Sequence, residues 1–174
     1  STANQLIQIK QVRQAVDYCI ERSRILELAY GGLGVAGDSP LGANNKYYEN
    51  IANHYAGYRD CNAEDNVERA IALLEGAGFI YNAAGAAYSD ADLKAGAPRY
   101  NLNGEGLTFR LWYDSNNTED QDACTMIKAE CAKAGIELNV QGYEQTTLWD
   151  STAAYDYDMY VVEWGAYADP SFAL

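Results

Sequence analysis

The alternation of apolar and polar positions is clearest in the second half of the chain. Two short segments alternate with a period of two, as half-buried strands do, and a longer segment between them places apolar residues at helical spacing. Thr118 and Gln121 predict a capping box at the start of that helix. The predicted elements are a strand at 107–113, a helix at 118–134, a strand at 136–140, a short helix near 146–152 and a strand within 155–170.

The first half of the chain shows helical periodicity instead. Residues 9–22 place apolar side chains on one stripe and predict an amphipathic helix, and Ser23 is predicted to cap a second short helix. Asn62 is predicted to cap a third helix, with Glu64 and Asp65 in its first turn, where the helix dipole favours acidic side chains.

This order of elements predicts an α/β fold. A helical part at about 6–81 leads through a connection at about 82–105 into an α/β part at about 106–174. The β-α-β-α-β order of the last part favours a mainly parallel sheet with right-handed crossovers. Ligands of such sheets bind outside the carboxyl ends of the strands, which here are residues 114–117 and 164–169.

The composition is that of an ordinary globular domain. The chain has 174 residues, of which 48% are hydrophobic and 21% charged, so a sizeable core is possible. Its 25 acidic and 12 basic residues give a net charge of -13, which disfavours nucleic acid and anionic membrane surfaces as partners. It contains no run of about 20 apolar residues that could span a bilayer.

The cysteines do not form a metal-binding pattern. The sequence has four of them and a single histidine, with no C-x-x-C spacing, so we predict no zinc site and no other metal or cofactor. Cys124 and Cys131 fall on one predicted helix, too far apart along its axis to bond to each other. A disulfide would have to join different elements, and the sequence leaves open whether one forms.

Residues 32–37 match the G-x-G-x-x-G pattern of dinucleotide-binding loops. Such a loop must follow a strand and open a helix, whereas this one follows a predicted helix and continues into Asp38-Ser39-Pro40. We therefore predict a flexible surface loop and no nucleotide site.

Taken in order, several segments resemble the extracytoplasmic solute-binding proteins of peptide-type ABC importers. No segment is specific alone, but the ordered set covers nearly the whole chain. The segments are the helix Val12-Arg13-Gln14-Ala15-Val16-Asp17-Tyr18, the loop Ser39-Pro40-Leu41, the helix end Leu73-Leu74-Glu75-Gly76-Ala77-Gly78-Phe79, the helix end Ala134-Gly135-Ile136, Tyr155-Asp156 before a strand, and the loop from Trp164 to Asp169-Pro170.

The resemblance implies a periplasmic-binding-protein-like fold in which this chain is one partial lobe of a two-lobed protein. It implies capture of a small peptide or other small polar solute, without catalysis, for a cognate ABC permease, in the periplasm or at the cell surface. Any membrane association would come through the transporter or an anchor outside this chain. The implied ligand-binding residues are Trp164, Gly165, Ala166, Tyr167 and Asp169, with Asn116 from the neighbouring strand end.

One departure from the family pattern bears on the ligand. Peptide-binding members tend to show Trp-x-x-Asp-Tyr-x-Asp/Glu-Pro, in which the first Asp pairs with the α-amine of the ligand. The corresponding loop here, residues 164–170, lacks that Asp. A carboxylate paired with an ammonium forms a strong charge-assisted bond, so its absence weakens the case for a free N-terminus as ligand and leaves blocked peptides, sugars, metal chelates and other small solutes open.

Two alternatives belong to other functional classes. A small acidic hydrolase could use paired carboxylates from Asp156, Asp158, Glu163 and Asp169, although acidic side chains at a strand start are usually solvated. With His54 as the single histidine, no Ser-His-Asp or Cys-His set is predicted. A protein-interaction domain could instead use the acidic surface, with Trp164 and Tyr167 as anchors.

Overall fold

The structure, a computed structural model, describes residues 5–37 and 65–162. A turn of 3₁₀ helix at Gln5–Gln8 precedes the first helix. The elements are α1 (Lys10–Tyr18), α2 (Arg22–Leu28), α3 (Asn66–Gly76), α4 (Asp90–Lys94), β1 (Thr108–Asp114), α5 (Thr118–Lys133), β2 (Glu137–Tyr143), α6 (Gln145–Ala153) and β3 (Met159–Tyr160). None of the helices in these two ranges is long and apolar enough to cross a membrane.

The sheet confirms the predicted α/β topology. β1 lies in the centre, pairs in parallel with β2 on one side and with β3 on the other, and places Leu111 opposite both Val140 and Met159. β3 is short, but the N–H of Val161 adds a further hydrogen bond of 2.8 Å to the carbonyl of Trp112. The carboxyl ends of all three strands therefore face one edge of the sheet.

Helix α5 covers β1 and β2 with the face that its periodicity predicted. Cys124, Ile127, Cys131 and Ala134 are all buried, and they pack into one hydrophobic cluster with β1, β2, α1 and α3. Burying such apolar surface contributes roughly 25 cal/mol per Å² to stability. This hydrophobic cluster holds α5, α1 and α3 against the sheet.

The predicted first helix is divided, and two predicted helix caps are wrong. The predicted first helix at 9–22 is divided, because it ends at Tyr18 and α2 begins at Arg22, whose guanidinium donates to Asp17 at 2.8 Å across the turn. Ser23 lies inside α2 and does not cap it; the N-cap residue is Glu21, without a side-chain cap.

The capping box predicted from Thr118 and Gln121 is also wrong by one position. Asn117 is the N-cap of α5, and its Oδ1 accepts the N–H of Asp120 at 3.0 Å. Asparagine caps helices at least as well as threonine, so Asn117 and not Thr118 is the N-cap of α5. The Thr118 hydroxyl donates instead to its neighbour Glu119 at 2.9 Å.

In α3, Asp65 is the N-cap residue and not part of the first turn, where Glu68 supplies the acidic side chain. Asp65 makes no side-chain cap and pairs with Arg69 at 2.9 Å. The predicted cap Asn62 and its neighbour Glu64 lie outside the described residues.

Arg99 joins the helical part of the molecule to the α/β part. The residue is 5% exposed, and its guanidinium donates to the carbonyl of Ala134 at 3.0 Å and to Glu75 at 3.1 Å. It also stacks on the ring of Tyr88, 4.3 Å from the centroid. Gly135 makes room for it, since a Cβ there would lie 2.7 Å from Arg99 Cγ. The segment between α3 and β1 is thus tied to the core near its end and contains α4.

Three cysteines are buried free thiols, whereas Cys61 lies outside the described residues. A hydrogen bond with Cys19, together with burial, raises the pKa of Cys131 well above its ordinary value. Burial raises the pKa of Cys124 to about 12. Cys124 and Cys131 therefore remain protonated at neutral pH, and all three buried cysteines behave as small apolar core residues.

Candidate functional site

Arg110 occupies the amino edge of the sheet and binds two carboxylates that precede β3. Its backbone N–H donates to Asp158 Oδ2 at 2.8 Å, and its guanidinium donates to Asp158 Oδ1 at 3.3 Å and to Asp156 Oδ1 at 3.0 Å. The Asp158 side chain is only 4% exposed. The pKa of Arg110 is raised, mainly by the hydrogen bond to Asp158.

This arrangement corrects the expectation that acidic side chains at the start of this strand are solvated. Asp156 and Asp158 precede the short strand β3, and the Asp158 side chain is buried. Both carboxylates pair with one guanidinium at the edge away from the strand carboxyl ends. Paired acid and base catalysis requires two carboxyl groups with separated pKa values and access to substrate. The two ion pairs of Arg110, with Asp156 and with Asp158, are therefore structural, and we call these three residues the clamp.

The carboxyl edge is built by the turn that follows β1. Asp114 Oδ1 accepts the backbone N–H of Asn116 at 2.9 Å and its side-chain amide at 3.2 Å. Asn117 then starts α5, and the N–H of Ser115 donates to the carbonyl of Tyr143 at 2.8 Å, which holds the turn against the end of β2. The polar side chains of the turn are therefore held in place by backbone contacts.

Two cavities open at this edge. The inner cavity, of about 80 Å³, lies between the ends of β1 and β3 and helix α6. The outer cavity, of about 660 Å³, is wider and lies between the same turn and the loop after α2. The inner cavity is lined by Asp114, Asn117, Asp120, Gln145, Leu148, Trp149, Thr152, Tyr160, Val161 and Val162, and the outer one by Ala29, Tyr30, Gly31, Leu33, Asp114, Asn116, Asn117 and Glu119.

The walls combine aromatic rings with polar groups. Trp149 on α6 is 36% exposed and lines the inner cavity. Tyr160 lies opposite at the end of β3; burial raises the pKa of its hydroxyl, which stays protonated at neutral pH. The Tyr30 hydroxyl donates to the buried Asp120 at 2.8 Å, so the loop after α2 is joined to the first turn of α5.

Of the candidate ligand-binding residues predicted from the sequence, Asn116 lies where expected, at the carboxyl edge, and lines the outer cavity. Trp164, Gly165, Ala166, Tyr167 and Asp169 lie outside the described residues. Sequence reasoning missed Trp149, Tyr160 and Tyr30 as cavity-lining residues. Periodicity could have placed Trp149 and Tyr160 near this edge, but the sequence carries no signal that Tyr30 reaches Asp120.

Residues 32–37 follow α2 and not a strand, as expected for a loop without a nucleotide site. Leu33 and Val35 are 84% and 81% exposed, so this part of the loop lies at the surface. Among the residues that the structure describes, no group of three or more His, Cys, Asp or Glu side chains could hold a metal ion.

The sequence profile of the bacterial extracellular solute-binding proteins, family 5 (Middle), matches residues 1–174. The chain belongs to this family. The fold agrees, because this chain superposes over most of its length on solved structures of binding proteins. This membership bears out the resemblance drawn from the ordered sequence segments.

Relatives with known structures share the fold at low sequence identity. The oligopeptide-binding protein AppA from Bacillus subtilis, solved with a nonapeptide, has a TM-score of 0.73 and 21% identity, over 96% of this chain and 30% of that one. NikA from Brucella suis, solved with Fe(III)-EDTA, has a TM-score of 0.71 and 21% identity, over 92% of this chain and 28% of that one. Protein XP55 from Streptomyces lividans is 24% identical over 173 residues, which are 99% of this chain and 27% of that protein. The chain thus spans less than a third of the length of these relatives.

Proposed function

We propose that this chain is part of the ligand-capturing lobe of an ABC-importer substrate-binding protein, which binds a small peptide or other small polar solute and carries out no catalysis. One observation supports this most directly. The two cavities lie at the carboxyl edge of a parallel sheet, which is where ligands of open α/β sheets bind. Two relatives, solved with a nonapeptide and with Fe(III)-EDTA, indicate that this fold serves chemically different solutes.

In this proposal residues 1–174 form one partial lobe, with a helical part at about 6–81, a connection at about 82–105 and an α/β part at about 106–174. The inner cavity, of about 80 Å³, is small beside the roughly 300–1,000 Å³ of typical ligand pockets. It would hold one end group of a ligand, while a second lobe closes over the remainder. Trp164, Gly165, Ala166, Tyr167 and Asp169 would supply a further wall, and Asn116 would contribute from the turn after β1.

The partner in transport would be the cognate ABC permease, and the site of action would be outside the cytoplasm. The absence of catalysis is part of the proposal. It is supported by relatives that are binding proteins and by the clamp at the amino edge. There Arg110 forms ion pairs with both Asp156 and Asp158, the two described members of the carboxylate set that a hydrolase would need.

Native mass spectrometry of the full-length protein as purified tests the proposal, because a closed binding protein retains its solute. We expect a mass excess that disappears on denaturation and identifies the solute class. Titration of the apo protein with that solute should then change the fluorescence of wild type more than that of Trp149→Phe. A protein without retained mass that also binds no peptide, sugar or metal chelate by calorimetry would refute solute capture.

A further inference from the structure

We propose that the site at the carboxyl edge selects solutes that carry a positively charged end group, such as an ammonium or guanidinium, and that Asp114 is its contact residue. The inference rests on the proposed function and adds a ligand class to it. Asp114 lines both cavities and stands between them. A ligand group entering either cavity therefore meets this carboxylate.

Asp114 has an oxygen available for a ligand. Both of its hydrogen bonds, from the N–H and the amide of Asn116, end on Oδ1. Its second oxygen, Oδ2, makes no hydrogen bond within the described part of the chain, and the side chain is half-buried. Because the donors on Oδ1 are neutral, they hold the carboxylate in place without cancelling its charge. A charge-assisted hydrogen bond to a half-buried carboxylate is about twice as strong as a neutral one.

The charged side chains among the described residues that line the two cavities are all acidic. None of the described residues that line either cavity is basic, while Glu119 and Asp120 add carboxylates to the walls. The amino end of α5 is also at this edge, and its dipole equals about half a positive charge. Glu119 and Asp120 in the first turn outweigh that half charge, so the local field favours a cation.

The inner cavity fits such a group in shape and chemistry. A volume of about 80 Å³ exceeds the roughly 10–15 Å³ that a single water needs, so it accepts a small end group. Trp149 provides an aromatic face, which attracts cations through its ring quadrupole. A carboxylate beside an aromatic ring discriminates an ammonium from a neutral or acidic group of the same size.

The test uses the full-length protein and tripeptides blocked at both ends, so that they differ in one charge. The probes are acetyl-Ala-Lys-Ala-amide, its Nε-acetylated analogue, acetyl-Ala-Glu-Ala-amide, and spermidine as a cation without a peptide bond. Calorimetry should give at least about 10-fold tighter binding of a cationic probe than of the neutral and acidic peptides, as expected for one hydrogen bond to a charged group. Asp114→Asn should remove that preference, and Asp114→Glu should retain part of it.

Asp150→Asn is the matched control, because it removes the same charge from an exposed position of α6 outside both cavities. We expect it to keep the cation preference, and urea unfolding should show that both variants are folded. Equal binding of all probes, binding of neutral or anionic solutes alone, or equal effects of Asp114→Asn and Asp150→Asn would overturn the inference and leave solute capture intact. A protein that binds no solute of any charge would refute both.

Discussion

The two edges of one small sheet use acidic residues in opposite ways. At the amino edge, Asp156 and Asp158 both pair with Arg110, and the side chain of Asp158 is almost fully buried. At the carboxyl edge, Asp114 receives only neutral donors and borders two cavities. The sequence shows acidic residues near both edges without distinguishing them. The two kinds of carboxylate differ in one respect. Asp156 and Asp158 have a cationic side chain, Arg110, on the neighbouring strand, and Asp114 has only neutral donors.

The largest effect should come from breaking the amino edge. Asp158→Ala removes an acceptor from both the backbone N–H and the guanidinium of Arg110 and should lower the free energy of unfolding by roughly 2–3 kcal/mol. Asp156→Ala removes a more exposed partner and should cost within about 1 kcal/mol. Urea unfolding of the full-length protein measures both. Equal losses in the two variants would contradict the assignment of Asp158 as the main member of the clamp.

The free energy of unfolding should depend on pH in the alkaline range, because of a thiol in the core. The thiol of Cys124 has a pKa of about 12 in the folded protein and about 8.5 when unfolded. Between these values the unfolded chain loses the proton that the folded chain keeps, so stability is fully present below the lower pKa and falls as pH rises, at about 1.4 kcal/mol per pH unit. Unfolding measured from pH 8 to pH 10 should therefore show a shallower decline in Cys124→Ala than in wild type, while Cys131 keeps its own contribution in both.

A smaller effect should come from the turn that leads into the amino edge. Tyr155 has a φ of 54°, the left-handed conformation that costs a non-glycine residue about 1–2 kcal/mol, and its side chain is 78% exposed. Asparagine adopts this conformation more readily, so Tyr155→Asn should raise the free energy of unfolding by about 0.5 kcal/mol. Thr146→Asn, on an exposed helical position of α6, is the control and should give no gain.

The smallest change in stability should come from the carboxyl edge. Asp114→Asn keeps an oxygen that can accept from Asn116 and removes no ion pair, so the free energy of unfolding should stay within about 0.5 kcal/mol of wild type. Thermal unfolding without added solute measures this. A loss as large as that of Asp158→Ala would mean that both edges are structural and would remove the contrast between them.

The fold could be predicted from the sequence largely because its periodicities are unambiguous. Alternation at 107–113 and 136–140, with a helical stripe between, leaves a parallel sheet as the favoured arrangement, and the carboxyl edge follows from it. The helix starts were less predictable, since Asn117 and Thr118 are both good caps and only the observed backbone separates them. Sequence patterns carry least information about helix ends at which neighbouring residues compete as caps.

The partners of individual side chains could not be predicted in the same way. Arg110 and Asp158 are separated by 48 positions, and Tyr30 and Asp120 by 90. Whether such residues meet depends on strand register and helix packing, which periodicity does not determine. Asn116 could be assigned to the correct edge because edge membership follows from topology alone.

The hydrogen bonds of Asp158 also bear on how this fold diversifies. A strand as short as β3 has few ladder bonds of its own, and a carboxylate that grips both the backbone and the side chain of Arg110 fixes its alignment with β1 from one end. Mutations in the loops at the opposite end can then accumulate without sliding the strands. Substitutions confined to the far loops would change what the carboxyl edge contacts and leave the alignment of β3 with β1 fixed.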